Sequence, residues 1–302
     1  MPKNSMNYND ECDLFRYVHD VYPFIDPAQH FATKTYKDKV IIITGGSTGI
    51  GVVASLFYAK AGAKVLIVAR RLEKLEQCKA DIEKDVPDAQ VLIMVGDISD
   101  PEVGKRAVKT VVETYGRLDI VLANQFTIMG GPVGRFGDKD AAAWWHTQEV
   151  NVRGTINIIH PAISELRKTK GQIVVTTSQG AHQRITTFAD YQISKHTLNR
   201  LVEFLALDYP ELAVYAVHPG VVSTDGAIEA LTDMGYLSSL TFVDTPELAA
   251  ATFLWLTARN AEFLSGRYIE APWDMGEVVA KKDVIVKDNL LVTKLAGPPK
   301  ST

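Results

Sequence analysis

Three residues in the stretch "TTSQGAHQRITTFADYQISKHTLNRL" have the types and spacing for proton transfer: Ser178, Tyr191 and Lys195. Tyr191 and Lys195 are four apart, so on a helix they share a face and the ammonium comes near the phenol. A free tyrosine titrates near ~10, so a nearby cation and a charged nicotinamide are needed to favour the phenolate, which makes Tyr191 a usable acid or base. Ser178, at the expected end of a strand, can hydrogen-bond a substrate oxygen as charge develops there. A Tyr-x-x-x-Lys pair alone is common on solvated helices. The rest of the chain must supply something for these groups to act on.

The stretch "TGGSTGIG", Thr44 to Gly51, follows the apolar run "KVIIIT" and precedes a helical segment. It therefore occupies a strand-to-helix turn, where a dinucleotide pyrophosphate can sit against free N–H groups at the positive helix end. Gly45 permits the tight turn, Gly49 lets the backbone approach the phosphates, and Gly51 lets the helix lie close; Ser47, Thr48 and Ile50 complete the cradle. The alternative is a structural turn that binds nothing. The next strand ends in "VLIVARRLEKL", with Arg70 and Arg71 where an Asp would favour NAD. A guanidinium there can fork onto a 2′-phosphate, so NADP(H) is the preferred cofactor and NAD(H) the second choice, unless both arginines are solvated helix-start residues.

From Val40 onward short β-branched runs alternate with segments of helical period: "VIIIT", "KVLIVA", "VLIMVGD", "LDIVLAN", "GQIVVTTS", "AVYAVHP" and "GRYIEA" mark seven strands. Near-continuous apolar strands between amphipathic helices indicate a mainly parallel sheet covered on both faces. The expected fold is α/β, a single doubly wound Rossmann-type domain over 38–273, with an N-terminal arm over 1–37 and a tail over 274–302. One long helical segment is expected from about Ala141 to Lys168 and another from about Tyr191 to Tyr209.

The motifs in this order resemble the short-chain dehydrogenase/reductase family. T-G-x-x-x-G-x-G, Ser178, the Tyr191-x-x-x-Lys195 pair and "HPGVVST" stand in register over about residues 38–272, and the extensions give the chain a look similar to fungal NADP(H)-dependent members. The resemblance implies that Tyr191 is the acid or base, that Lys195 holds the cofactor ribose, and that Asn151 in "EVNVRGT" helps anchor a water linked to Lys195. It implies that Asp97 and Ile98 line the adenine, and that Asn124, Pro219, Gly220, Val222 and Thr224 border the dinucleotide. Asn151 could instead satisfy helix backbone, Asp97 could start a turn and Thr224 could begin a helix. Where the family commonly shows N-N-A-G, the chain reads "ANQF", Ala123 to Phe126. Gln125 and Phe126 thus replace two small residues.

The implied chemistry is hydride transfer between NADP(H) and a carbonyl or alcohol. Loops at the carboxyl ends of the strands hold Phe126, Met129, Gln179, His182, Phe188, Met234, Tyr236 and Phe242, an aromatic lining that suggests a small hydrophobic ketone, aldehyde or alcohol, although scattered aromatics are also ordinary packing. The stretch "TDGAIEALTDMGYLSSLTF" stands where related enzymes have a mobile lid. Two other readings are a cofactor-binding regulator that kept the fold, to which "ANQF" could point, and a dehydratase or epimerase on the same fold.

Composition removes several classes. A net charge of −4 without a basic stripe argues against nucleic acid. Cys12 and Cys78, the only cysteines, support neither a disulfide framework nor a metal site, so no metal is expected. The polar, acidic start lacks a signal peptide's pattern and no apolar run approaches a membrane span. A cytoplasmic homo-oligomer, dimer or tetramer, is the expectation.

Overall fold

The computed structural model describes residues 14–128 and 134–295. Its frame is seven strands: β1 (Val40–Thr44), β2 (Lys64–Ala69), β3 (Gln90–Val95), β4 (Ile120–Ala123), β5 (Gln172–Thr176), β6 (Ala213–His218) and β7 (Arg267–Glu270). They form one sheet in the order β3-β2-β1-β4-β5-β6-β7, and every adjacent pair is parallel. All five residues of β1 are buried, as an interior parallel strand covered on both faces requires. The chain reverses its direction of travel across the sheet between β1 and β4. That reversal opens the crevice where doubly wound sheets bind ligands.

The helices are α1 (Ala28–Thr33), α2 (Ile50–Lys60), α3 (Leu72–Asp85), α4 (Pro101–Tyr115), α5 (Ala141–Gln148), α6 (Gly154–Thr169), α7 (Ala189–Asp208), α8 (Asp225–Asp233), α9 (Pro246–Trp255), α10 (Met275–Ala280) and α11 (Lys282–Lys287). Because strand side chains alternate, Ile41 and Ile43 pack one way with Ala54 and Tyr58 of α2, Leu75 of α3 and Phe253 of α9. Val40 and Ile42 pack the other way with Val103 of α4, Ile158 of α6 and Leu198 of α7. These two cores lock the strand ends, and with them the loops that carry chemistry.

The period over residues 72–85 matches α3 residue for residue. The long helical segment expected from about Ala141 to Lys168 is helical throughout, α5 running into α6 through a π-helical turn at Glu149–Arg153. The wider turn brings Asn151 into full burial, and Gly154 follows because a Cβ there would lie 2.8 Å from Ile98 Cγ2. The loop read as a lid contains α8, whose first turn is capped by the Thr224 hydroxyl accepting from Ala227 N at 3.2 Å. Met129 lies outside the described residues.

The arm and the tail both close over the β7 side. Phe15 packs on Trp273 with ring centroids 4.9 Å apart, and Tyr17 bridges Trp273 in antiparallel fashion. Met275 and Val278 of α10 and Ile285 of α11 are buried in the same core. Among the described residues no helix is long and apolar enough to cross a membrane.

A methyl added at Gly51 would meet the Gly45 carbonyl oxygen at 2.2 Å, a backbone atom that cannot rotate aside. Gly51→Ala is expected to cost about 1–3 kcal/mol through this overpacking. A urea midpoint equal to that of the unchanged protein would refute the close approach.

Candidate active site

The glycine turn leaves β1 with Gly45 at φ +62° and enters α2 with Gly49 at φ +54°, both in the left-handed region that disfavours side chains. A Cβ on Gly45 would press on the Gln125 backbone at 2.9 Å, and one on Gly49 would meet Thr224 Cγ2 at 2.7 Å. The space beside Gly49 is thus occupied by the loop after β6. Gly51 is needed for closeness to Gly45 itself. The N-cap of α2, Gly49, makes no side-chain capping bond, so the N–H groups of the helix start have no side-chain partner there and suit an anion. This uncapped, glycine-rich turn fits a pyrophosphate.

Beyond β2, Arg70 and Arg71 are exposed, Arg71 as N-cap of α3 without a side-chain bond. Burial acts to raise the Asp97 pKa. Hydrogen bonds from the Ser99 amide and hydroxyl, 2.9 and 2.8 Å, together with the charge of Arg70, outweigh it and hold the carboxyl below its usual value. Asp97 therefore organises a turn, and Arg70 faces it. Ile98 is buried, and its carbonyl accepts from Asn157 Nδ2 at 2.8 Å.

Ser178, Tyr191 and Lys195, the residues expected to serve proton transfer, converge where β5 ends against α7. Lys195 is 1% exposed; its Nζ donates to the Thr176 carbonyl at 2.9 Å and lies 5.7 Å from the Tyr191 ring centroid. Ser178 Oγ accepts from Gly180 N at 3.1 Å and hydrogen-bonds the Tyr191 side chain. Burial drives the Lys195 pKa from 10.5 down to about 7, and burial also raises that of Tyr191 despite the Ser178 bond. Without the charged nicotinamide that the phenolate is expected to need, desolvation disfavours both charges, and Tyr191 rests as a neutral phenol. Next to this pair, burial and the Lys195 charge push His218 down to about 3, so it is a neutral imidazole.

Asn151 spends its whole side chain on positioning. Its Oδ1 accepts from Thr127 N at 2.8 Å, and its Nδ2 donates to Thr127 O at 2.9 Å and to Ser194 Oγ at 3.0 Å. Ser194 in turn donates to the Tyr191 carbonyl at 2.7 Å, which ties the loop after β4 to the helix carrying Tyr191. The unusual Gln125 is buried, accepts from the Thr44 hydroxyl, and donates to Thr155 Oγ1 at 2.9 Å. Asn124 donates to Gly45 O at 3.2 Å and accepts from Thr176 Oγ1 at 3.2 Å. "ANQF" is therefore built into the ends of β1 and β5 and keeps the turn intact.

Of the residues expected to line a substrate pocket, Phe188 packs edge-on against Tyr236 of the α8 loop, centroids 4.8 Å apart, and Met234 is buried. Phe126 is 38% exposed and Phe242 is half-buried. Gln179 and His182 face β7 instead. Gln179 donates to Tyr17 Oη at 3.0 Å, while His182 stacks edge-on with Tyr268, centroids 4.4 Å apart, and lies 3.0 Å from Asn199 Nδ2. Pro219 and Val222 are buried, Gly220 sits at φ +98°, and Asp244 accepts from Val221 N at 2.6 Å.

Sequence reasoning missed Asp244, Thr176, Ser194 and the buried Lys139–Asp190 ion pair. In that pair Nζ lies 2.9 Å from Oδ1, beside Tyr191, with Gln148 donating to the Asp190 carbonyl at 2.7 Å. Only Asp190's place before Tyr191 could have drawn attention to it. Two shallow clefts, at Lys34, Gly62 and Asp88 and at Tyr36, Asp119 and Gln172, lie at the amino ends of the strands, away from Tyr191.

Unfolding returns Lys195 from a pKa of about 7 to the ordinary 10.5, so between those values the unfolded chain holds the extra proton. Stability conferred through this residue must rise with pH across that window and be absent below it. Urea unfolding of the dinucleotide-free protein inside the window is expected to show a slope that Lys195→Met reduces. Equal slopes would mean that Lys195 stays charged in the fold.

The family pattern described as short chain dehydrogenase matches residues 39–235. The chain is 33% identical over 296 residues to Short chain dehydrogenase pigC of Monascus ruber, covering 93% of each. It is 32% identical over 286 residues to Short chain dehydrogenase andI of Emericella variicolor, covering 91% of this chain and 93% of the relative. Among solved structures, levodione reductase superposes with a TM-score of 0.73 at 25% identity, over 81% of this chain and 99% of its own. A short chain dehydrogenase from Shigella flexneri complexed with NADP does so at 0.71 and 26% identity, over 79% and 99%. A matched pattern across most of the sheet, relatives of nearly equal length and the same parallel architecture lead to one conclusion: the chain belongs to the short-chain dehydrogenase/reductase family, a family of NAD(P)-binding oxidoreductases.

Proposed function

We propose that the protein reduces a hydrophobic ketone or aldehyde with NADPH, and in reverse oxidises the corresponding alcohol. The observation that carries this reading is the neutral Tyr191 phenol hydrogen-bonded to Ser178, with buried Lys195 one turn along the same helix. When bound, NADPH supplies the hydride. Tyr191 holds the proton that the carbonyl oxygen must receive, and its raised pKa keeps that proton available at neutral pH. Ser178, already oriented by the Gly180 amide, donates to the same oxygen as it gains charge. Lys195 is held by the Thr176 carbonyl, in place for the ribose, and a hydrogen-bonding hydroxyl there would favour its charged form over the neutral one.

Support for NADP(H) over NAD(H) comes from Arg70 and Arg71 at the end of β2, from the absence of a carboxylate at those two positions, and from the NADP bound to the similar Shigella enzyme. The uncapped start of α2 would hold the pyrophosphate, with Asn124, Gly220 and Val222 bordering the nicotinamide end. Phe126, Phe188, Tyr236 and Phe242 support an apolar substrate, and levodione reductase is a relative that, by its name, reduces a carbonyl compound. The regulator reading has less behind it, because Gln125 completes a bonded turn, and net consumption of NADPH with a ketone separates the reductase from a dehydratase or epimerase.

The test is NADPH and NADH oxidation against a panel of hydrophobic ketones, with dinucleotide binding measured separately. Tyr191→Phe is expected to lower turnover by about 10²–10⁴-fold with NADPH binding kept. Near-normal turnover in that variant would remove Tyr191 from the chemistry. Arg70→Ala is expected to weaken NADPH binding and spare NADH, since only the former carries the 2′-phosphate; equal loss for both would remove the assigned preference.

A further inference from the structure

The N-terminal arm lies outside the α/β core, yet its residues 16–19 reach two loops of the candidate site. Its backbone is pinned first: Asp274 N donates to Arg16 O at 2.8 Å, Val18 N to Pro272 O at 2.7 Å, and Thr245 N to His19 O at 3.1 Å. The alternate side chains Tyr17, partly buried, and His19, 52% exposed, then lie with rings 6.5 Å apart and nearly parallel. Each ends on a buried carboxylate, and each carboxylate or its partner belongs to a different loop.

The Tyr17 hydroxyl donates to Glu270 Oε2 at 3.0 Å and accepts from Gln179 Nε2 at 3.0 Å. Glu270, at the end of β7, is fully buried, and its other oxygen accepts from Tyr268 Oη at 2.8 Å. Gln179 directly follows Ser178, and its Oε1 accepts from Gln183 Nε2 at 3.0 Å. Tyr17 thus closes a polar cluster against the loop that carries Ser178. Without its hydroxyl, Glu270 Oε2 keeps, among the described residues, only the 3.4 Å approach of Gln179.

His19 Nδ1 lies 2.7 Å from Asp244 Oδ1, and the other oxygen of that carboxylate accepts from Val221 N at 2.6 Å. Val222 also bridges Asp244. A Cβ on Gly220 would come within 2.7 Å of Asp244 Oδ2, so the Asp244 side chain is packed tightly under the loop after β6. A carboxylate bonded on both oxygens has one orientation; a carboxylate bonded on one can turn.

We propose that Tyr17 and His19 are positioning residues of the active site, Tyr17 holding the Ser178 loop through Gln179 and Glu270, and His19 holding the Gly220–Val222 loop through Asp244. The arm acts through these residues and touches no reacting atom. That the two loops serve a carbonyl and a nicotinamide rests on the function proposed above. That the arm holds them does not.

The test is amide hydrogen exchange on the full chain without dinucleotide. His19→Ala is expected to speed exchange in residues 219–224, and Tyr17→Phe in residues 179–183, each by about tenfold, the scale of one lost hydrogen bond to a charged group. Each variant should leave the other's loop and β1 unchanged, and His19→Gln, which keeps a donor for Asp244, should return 219–224 towards its original rate. In turnover, His19→Ala should raise KM for NADPH by a larger factor than it lowers kcat. Unchanged exchange in both loops, or an equal rise throughout the chain including β1, would overturn the proposal. If the loops respond as expected while the unaltered protein neither binds NADPH nor reduces any ketone, the positioning role stands and the functional reading falls.

Discussion

Removal of water from the Tyr191–Lys195 pair is the constraint on which the rest of the structure depends. An ammonium 1% exposed survives only with a fixed acceptor, here the Thr176 carbonyl at the end of β5, and even so its pKa falls to about 7. The same burial keeps Tyr191 protonated. The protein alone thus holds an acid without a strong neighbouring charge, and what binds beside Lys195 sets how much of that charge returns. This differs from a simple picture in which a cation permanently lowers a tyrosine's pKa, and the reason is that burial penalises both partners at once.

Around that pair the polar groups are linked in ways that leave few free orientations. Asn151 joins the loop after β4 to α7 through Thr127 and Ser194, and the π-helical turn is what delivers it there. Gln125 joins β1 to Thr155. The buried Lys139–Asp190 pair anchors the start of α7 one residue before Tyr191. Buried polar networks with their partners in place narrow the range of accessible geometries, since each alternative leaves an unsatisfied group. Gln125, one of the two side chains that depart from the family pattern, is part of this network, which explains how the turn tolerates it.

The arm and the C-terminal segment share a face of the molecule. Trp273 receives Phe15 and Tyr17 from the arm, and Tyr22 Oη accepts from Met275 N. Two segments distant in sequence thereby stabilise each other over β7, and the consequence for function runs through Glu270 and Asp244, the carboxylates beneath the loops.

By itself the sequence determined the alternation of strands and helices, the glycine turn, the Tyr191–Lys195 spacing and the family. Each of these is a local property: apolar period sets an element, a left-handed φ selects glycine, and a separation of four puts two side chains on one helical face. The α3 boundaries and β1 could be read directly. Tertiary structure alone decided the π-helical turn at Asn151, the turning of Gln179 and His182 towards β7, the protonated state of Tyr191 and the lowered pKa of Lys195, and the contact of the arm with two site loops. Those outcomes depend on burial and on partners more than a hundred residues away, such as Tyr17 with Glu270 or His19 with Asp244, and neither periodicity nor spacing encodes which distant residues will meet.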